Sequence, residues 1–348
     1  MRFIPLSLFI LWLATAVSGA LAATGLVALK STTGAGPVTV FYPSSGPAQT
    51  VTQGPFTMQL APNGAAMPGN RRLIVISHGS GSSPWTFADL ATTFVEAGFI
   101  VAIPEHEGDN YRDHKWISIE TWKRRPAEVS AAIDAVKADA RFGDKFDANR
   151  VGVYGMSAGG LTALTVAGAQ WSPTNFQKHC VQNLEQDFGT CVGLTTRLTG
   201  SALDSVKINI ARAVHRTKFT DETVYQHHDP RIQAVVATVP MAVPILMESL
   251  ANPTAAIGLV TAGLDTWLVP RFHSDEVRKA CSLCTVVADM PSAGHGSTLS
   301  PWPQDLAASI SPMLVDPPGF DRQALPGLYA NIVAFFNRHL LAATQVAP

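Results

Sequence analysis

The chain carries almost no net charge. Its formal charge is −1, and only 15% of its 348 residues are Asp, Glu, Lys or Arg. No long basic run occurs, and no basic patch interleaved with aromatics, which argues against nucleic acid as a partner. After residue 22 no apolar run is long enough to span a bilayer. No internal repeat is evident. Cysteine is scarce, with Cys180, Cys191, Cys281 and Cys284 the only four. A single C-x-x-C, at Cys281–Cys284, lacks the second pair that a zinc ribbon needs, so no metal is expected there.

What is present is a globular composition. Hydrophobic residues make up 47% of the chain, and its length suits one large α/β domain. Residues 1–22 read as a secretory signal. Arg2 is the positive start, Ile4 to Val17 the apolar core, and Ala20-Leu21-Ala22 the cleavage site before Ala23. No cysteine lies near that site, so a lipid-modified N-terminus is not indicated. An exported, periplasmic or secreted chain with an even cysteine count is expected to form disulfides. Four cysteines allow three connectivities. The sequence-local one, Cys180 to Cys191 and Cys281 to Cys284, is the expectation.

Residues 23–70 hold short extended runs such as Val38 to Tyr42, broken by Gly and Pro, and read as antiparallel edge strands. Leu73 to Ile76 is a continuous apolar run, as in a parallel strand buried on both faces. A helix is predicted next, with Ser83 as N-cap and Pro84 as its first residue. Phe99 to Ile103 is a strand. Pro104 to Trp122 reads as a polar loop, and Pro126 as the start of a second helix. Strands follow at about Arg150 to Tyr154, Ile232 to Val239, Ile257 to Thr261 and Cys284 to Asp289. The last helix is predicted near Leu328 to Leu341. This alternation predicts a mostly parallel central sheet with helices on both faces. Residues 171–228 interrupt it and read as a cap-like insertion over the carboxyl edge of the sheet.

The chemistry centres on Gly155-Met156-Ser157-Ala158-Gly159, a G-x-S-x-G between a strand and a helix. A serine on so sharp a turn needs small neighbours and meets a helix N-terminus, which favours negative charge. Asp265 and His295 each follow a later strand, in the order Ser, Asp, His that accompanies such an elbow. A serine hydroxyl is a poor nucleophile until an imidazole takes its proton, and a carboxylate then orients the ring. Asp275 and Asp289 are weaker candidates for the acid. The oxyanion hole needs two N–H groups. One is expected from Ala158 and the other from the Ser80-Gly81 region after the Leu73–Ile76 strand. His78 is read as bracing that loop. His106 with Glu105, Glu107 and Asp109, and His227-His228-Asp229, are read as hydrogen-bonding groups rather than metal ligands.

These motifs resemble the α/β-hydrolase superfamily. HGSGSS at 78–83, Glu105 to Asp109, Arg125 to Val129, GMSAGG at 155–160 and Asp229 to Ile232 are similar to the dienelactone-hydrolase-like and platelet-activating-factor acetylhydrolase-like serine esterases. The similarity spans roughly residues 35–345. Dienelactone hydrolases proper use a cysteine where this chain has Ser157. The resemblance implies hydrolysis of a carboxylic ester without a metal or organic cofactor, on a small-molecule substrate. A peptidase or amidase on the same scaffold, and a non-catalytic binding protein, are the rivals. The insertion reads as polar and without a long apolar stripe, so a confined pocket with a polar rim, and short-acyl esters, are expected.

Overall fold

Leu73 to Ser77 is buried at every position, because it lies at the middle of a sheet covered on both faces. The computed structural model describes residues 23–30, 36–116, 118–302 and 312–341. The expected signal, residues 1–22, lies outside the described residues. The strands are β1 (Ala23–Leu29), β2 (Val38–Ser44), β3 (Gln49–Gln53), β4 (Phe56–Pro62), β5 (Leu73–Ser77), β6 (Ile100–Pro104), β7 (Val151–Met156), β8 (Ile232–Thr238), β9 (Ala256–Ala262) and β10 (Thr285–Met290). They form one ten-stranded sheet among the described residues, in the order β10-β9-β8-β7-β5-β6-β2-β1-β4-β3. From β6 to β10 every pairing is parallel. The N-terminal strands join antiparallel, except that β1 meets β4 in parallel over a short register.

Two apolar layers sandwich this sheet. Helices α1 (Ala88–Glu96) and α8 (Leu325–Phe336) pack on one face with Phe94, Ile332 and Phe336. Helices α2 (Ile119–Ala138) and α3 (Ala158–Val166) cover the other with Val129, Ile133 and Leu164. All nine residues of α3 are buried, so this helix has no solvent face.

Of the two expected helix starts, the first holds in place, with Ser83 as N-cap and Pro84 first, and the second is corrected. The segment after Ser83 opens as a 3-10 turn, Pro84–Phe87, and the Ser83 hydroxyl makes no capping bond. Pro126 does not open α2 but lies inside it. A proline in a helix interior costs about 3 kcal/mol. The turns before it bury Trp122 edge-on against Trp171 and Phe176. Burying a tryptophan removes about 150–250 Å² from water, roughly 4–6 kcal/mol at 25 cal/mol per Å². Packing therefore outweighs the lost hydrogen bond and carries the helix over the proline.

The insertion folds as α4 (Pro173–Asn183), α5 (Phe188–Val192) and α6 (Asp204–Thr217). It leaves and rejoins the sheet at one neck. There Trp171 and Tyr225 exchange backbone hydrogen bonds of 3.0 and 2.8 Å and stack their rings. The Cys180–Cys191 disulfide ties α4 to α5, and Cys281–Cys284 closes the turn before β10. After α7 (Ser274–Ala280), that turn leads to the exposed edge of the sheet.

Candidate active site

Ser157 sits between β7 and α3 at φ +60° and ψ −119°, a left-handed conformation for a residue with a side chain. Backbone contacts hold it there. Its N–H donates to Thr238 O at the end of β8, and its carbonyl accepts from the Met241 N–H. The flanking glycines are required sterically. A Cβ on Gly159 would lie 1.8 Å from Ser77 O, and one on Gly155 would lie 1.9 Å from Gly159 O.

Three strand ends bring three side chains together. His295 Nε2 lies 3.0 Å from Ser157 Oγ, and His295 Nδ1 lies 2.7 Å from Asp265 Oδ2. Both Asp265 and His295 are buried. The second Asp265 oxygen accepts from the Trp267 and Leu268 N–H groups, each at 2.8 Å, which fixes the carboxylate before it meets the imidazole. The other acids are elsewhere. Asp289 accepts from Thr261 Oγ1, and Asp275 lies in the first turn of α7.

Ser80 and Gly81 lie beside Ser157 in the β5 loop, and a Cβ on Gly79 would touch Ser157 Cβ at 3.4 Å. One oxyanion candidate is corrected here. The Gly81 N–H donates to Asp109 Oδ1 at 2.8 Å and is therefore committed. Among the described residues nothing engages the Ser80 N–H or the Ala158 N–H. The Ser80 hydroxyl also donates to Asp109, at 3.1 Å.

A buried ion pair holds this loop. Arg125 and Asp109 are fully buried and 2.8 Å apart. Arg125 also donates to the His78 and Gly79 carbonyls. Burial pushes the Asp109 carboxyl up, but Arg125 and the Gly81 N–H outweigh this and hold it below its ordinary value. Beside the pair, His106 bridges Ser77 Oγ at 2.8 Å and Glu128 Oε2 at 2.5 Å. Burial lowers the His106 imidazole well below its usual range and raises Glu128 to about 7. Burial thus disfavours the charged form of both partners in this short contact. His78 accepts the His106 N–H and shares a hydrogen bond with Gly79 O. At the far end of the insertion, His227 and Asp229 bond Ser130.

A cavity of about 1240 Å³ opens over Ser157. Its wall includes Trp85, Trp122, Phe176, Trp267 and Trp302, and the insertion supplies one side of it. The expected small pocket with a polar rim is corrected on both counts. Helix α6 exposes Leu203, Val206, Ile210 and Val214, an apolar stripe hidden in the sequence by the charged residues between them. A second concavity, of about 850 Å³, lies at the opposite ends of the strands around Arg71, Arg72 and Asn149, and holds no comparable constellation.

The insertion is fastened to the loop that carries Asp265. Asp187 accepts from His179 Nε2 at 2.8 Å and from His273 Nε2 at 3.1 Å, and Thr190 donates to Trp267 O at 3.1 Å. Burial raises the Asp187 carboxyl, and the two imidazoles more than reverse it, holding it well below the usual range. Sequence reading missed this cluster and the Arg125–Asp109 pair. For the pair a signal existed. Thr121, Arg125, Glu128 and Val129 share one face of α2, and a charged residue on a core-facing stripe must be partnered.

The superposition decides the fold. A ferulic acid esterase from Streptomyces cinnamoneus matches with a TM-score of 0.59, over 96% of this chain and 94% of that one. The chain has the α/β-hydrolase fold. Sequence identity to that esterase is 18%. Residues 85–177, which include the turn at Ser157, match the model of the prolyl oligopeptidase family. No curated protein matches the chain. Among the described residues no helix is long and apolar enough to cross a membrane.

Proposed function

We propose that this chain is an exported serine hydrolase of carboxylic esters, a single hydrolase domain over residues 23–348 following a signal at 1–22. The carrying observation is the hydrogen-bonded relay from Ser157 through His295 to Asp265. Ser157 Oγ attacks the ester carbonyl while His295 Nε2 takes its proton. Asp265 holds Nδ1–H and stabilises the imidazolium. The Ala158 and Ser80 N–H groups receive the oxyanion. His295 then protonates the leaving alkoxide, and water, activated by the same imidazole, cleaves the acyl-enzyme. None of these steps needs a cofactor.

A preference for short-acyl esters does not follow from this site. It rested on a confined pocket, and a cavity of about 1240 Å³ with tryptophans in its wall accepts an ester with a large apolar or aryl part. The similarity to a ferulic acid esterase agrees with an aryl group. The match to the prolyl oligopeptidase family supports a second reading, a peptidase using the same three residues. The test is a fluorophosphonate label with mapping of the modified peptide, beside turnover of methyl ferulate, p-nitrophenyl esters from acetate to palmitate, and peptide anilides. Label on Ser157 and ester turnover are expected. Label elsewhere, or turnover of anilides alone, overturns the esterase reading.

A further inference from the structure

The four exposed side chains Leu203, Val206, Ile210 and Val214 recur at the spacing of one helical stripe. Scattered surface apolar residues need no explanation, but a contiguous row does. Two of the four, Ile210 and Val214, also line the cavity over Ser157. The exposed stripe and the cavity wall are thus one continuous apolar surface. Charge is uneven around it. Residues 195–218 hold Arg197, Lys207, Arg212, Arg216 and Lys218 against the single acid Asp204, in a chain whose net charge is −1. Lys207 pairs with Asp204, and Arg212 with Glu185. Arg197, Arg216 and Lys218 have no carboxylate partner among the described residues.

We propose that α6 docks the protein on an anionic lipid bilayer and opens its cavity towards that surface. An apolar row flanked by cations is the pattern of a helix lying in a membrane interface, with the row in the acyl boundary and the cations at acidic headgroups. Continuity with the cavity favours a lipid surface over a protein partner. A partner protein gains nothing from a row that runs into the cavity, whereas an apolar ester dissolved in a bilayer passes along it to Ser157. That last clause rests on the esterase reading; the docking does not.

The test therefore uses Ser157→Ala protein, and its failure is separate from failure of Ser157 labelling. Binding is measured by co-sedimentation with vesicles of phosphatidylcholine alone and of equimolar phosphatidylcholine and phosphatidylglycerol. Binding to the anionic vesicles is expected, weakening as salt rises. Leu203→Glu/Val206→Glu, at two exposed positions outside the cavity wall, should weaken that binding by about tenfold or more, since two charges must enter the interface. The same pair placed in the Ser157 protein should leave turnover of soluble p-nitrophenyl acetate unchanged, which reports an intact fold. Absence of anionic-vesicle binding overturns the proposal, even if a protein partner is captured. So does binding that the double variant leaves intact, and so does equal binding to both vesicles.

Discussion

Replacing Arg125 by methionine separates two jobs done by one side chain. The guanidinium is buried with Asp109 and grips the His78 and Gly79 carbonyls. Removing it leaves the Asp109 carboxylate buried with only neutral donors, Ser80 Oγ and the Gly81 N–H. An orphaned buried charge costs about 3–5 kcal/mol. For 348 residues the entropy of unfolding is about 0.7 kcal/mol/K, so Tm should fall by roughly 4–7 °C. The catalytic loss has another source. The loop bearing the Ser80 N–H loses its brace, and one misplaced oxyanion donor lowers kcat by about 10²–10³. Arg125→Met/Asp109→Leu distinguishes the two effects. With both charges gone it should recover most of the stability but not the turnover. Calorimetry gives Tm, and steady-state kinetics on p-nitrophenyl acetate give kcat and KM separately, with the change expected in kcat. Because Asp109 titrates below its ordinary value when folded, the wild-type pair should be fully stabilising at neutral pH and lose its contribution as pH falls through the acid range. Unchanged Tm and kcat in Arg125→Met would refute the brace, and recovery of both in the double variant would refute the separate catalytic role.

Asp265→Asn should lower kcat by about 10⁴ while the chain stays folded, and adding His295→Ala should cost little more, because the relay acts as a unit; additive penalties would argue against it. Glu128, raised to about 7 in the fold from an ordinary 4.5, keeps its proton longer folded than unfolded, so stability should fall as pH rises between those values. Glu128→Gln should flatten that slope in pH-dependent denaturant melts. Cys180→Ser/Cys191→Ser should lose about 3 kcal/mol, the scale for a loop of this order, and loosen the insertion first, as read by hydrogen exchange over α4 and α5.

The parallel strands and the loops at their carboxyl ends were legible because both follow local rules. Apolar runs such as Leu73 to Ile76 mark buried parallel strands, and the residues just past their ends mark the site. Helix starts were less legible. Pro126 is a breaker by local chemistry, and only the distant packing of Trp122 on Trp171 and Phe176 overrules it. Gly81 shows a different limit. Its place in the loop fits an oxyanion donor, but its N–H is taken by Asp109, 28 positions away. The α6 stripe was hidden because Asp204, Asn209 and Arg212 lie between its members in sequence but on other faces of the helix in space, while Lys207 lies beside it.

The neck at Trp171 and Tyr225 makes the insertion a single excursion of the chain. Its backbone leaves and returns through one pair of hydrogen bonds, but Phe176 packs it into the core beside β7 and β8, and Asp187 and Thr190 tie it to the Asp265 loop. Ser157, Asp265 and His295 all lie outside that loop of chain, while one wall of the cavity lies inside it. The chain thus separates the three hydrogen-bonded side chains from one cavity wall in sequence, while Asp187 and Thr190 rejoin the two in space. An exchanged insertion must therefore keep partners for His273 and the Trp267 carbonyl if the Asp265 loop is to stay in place.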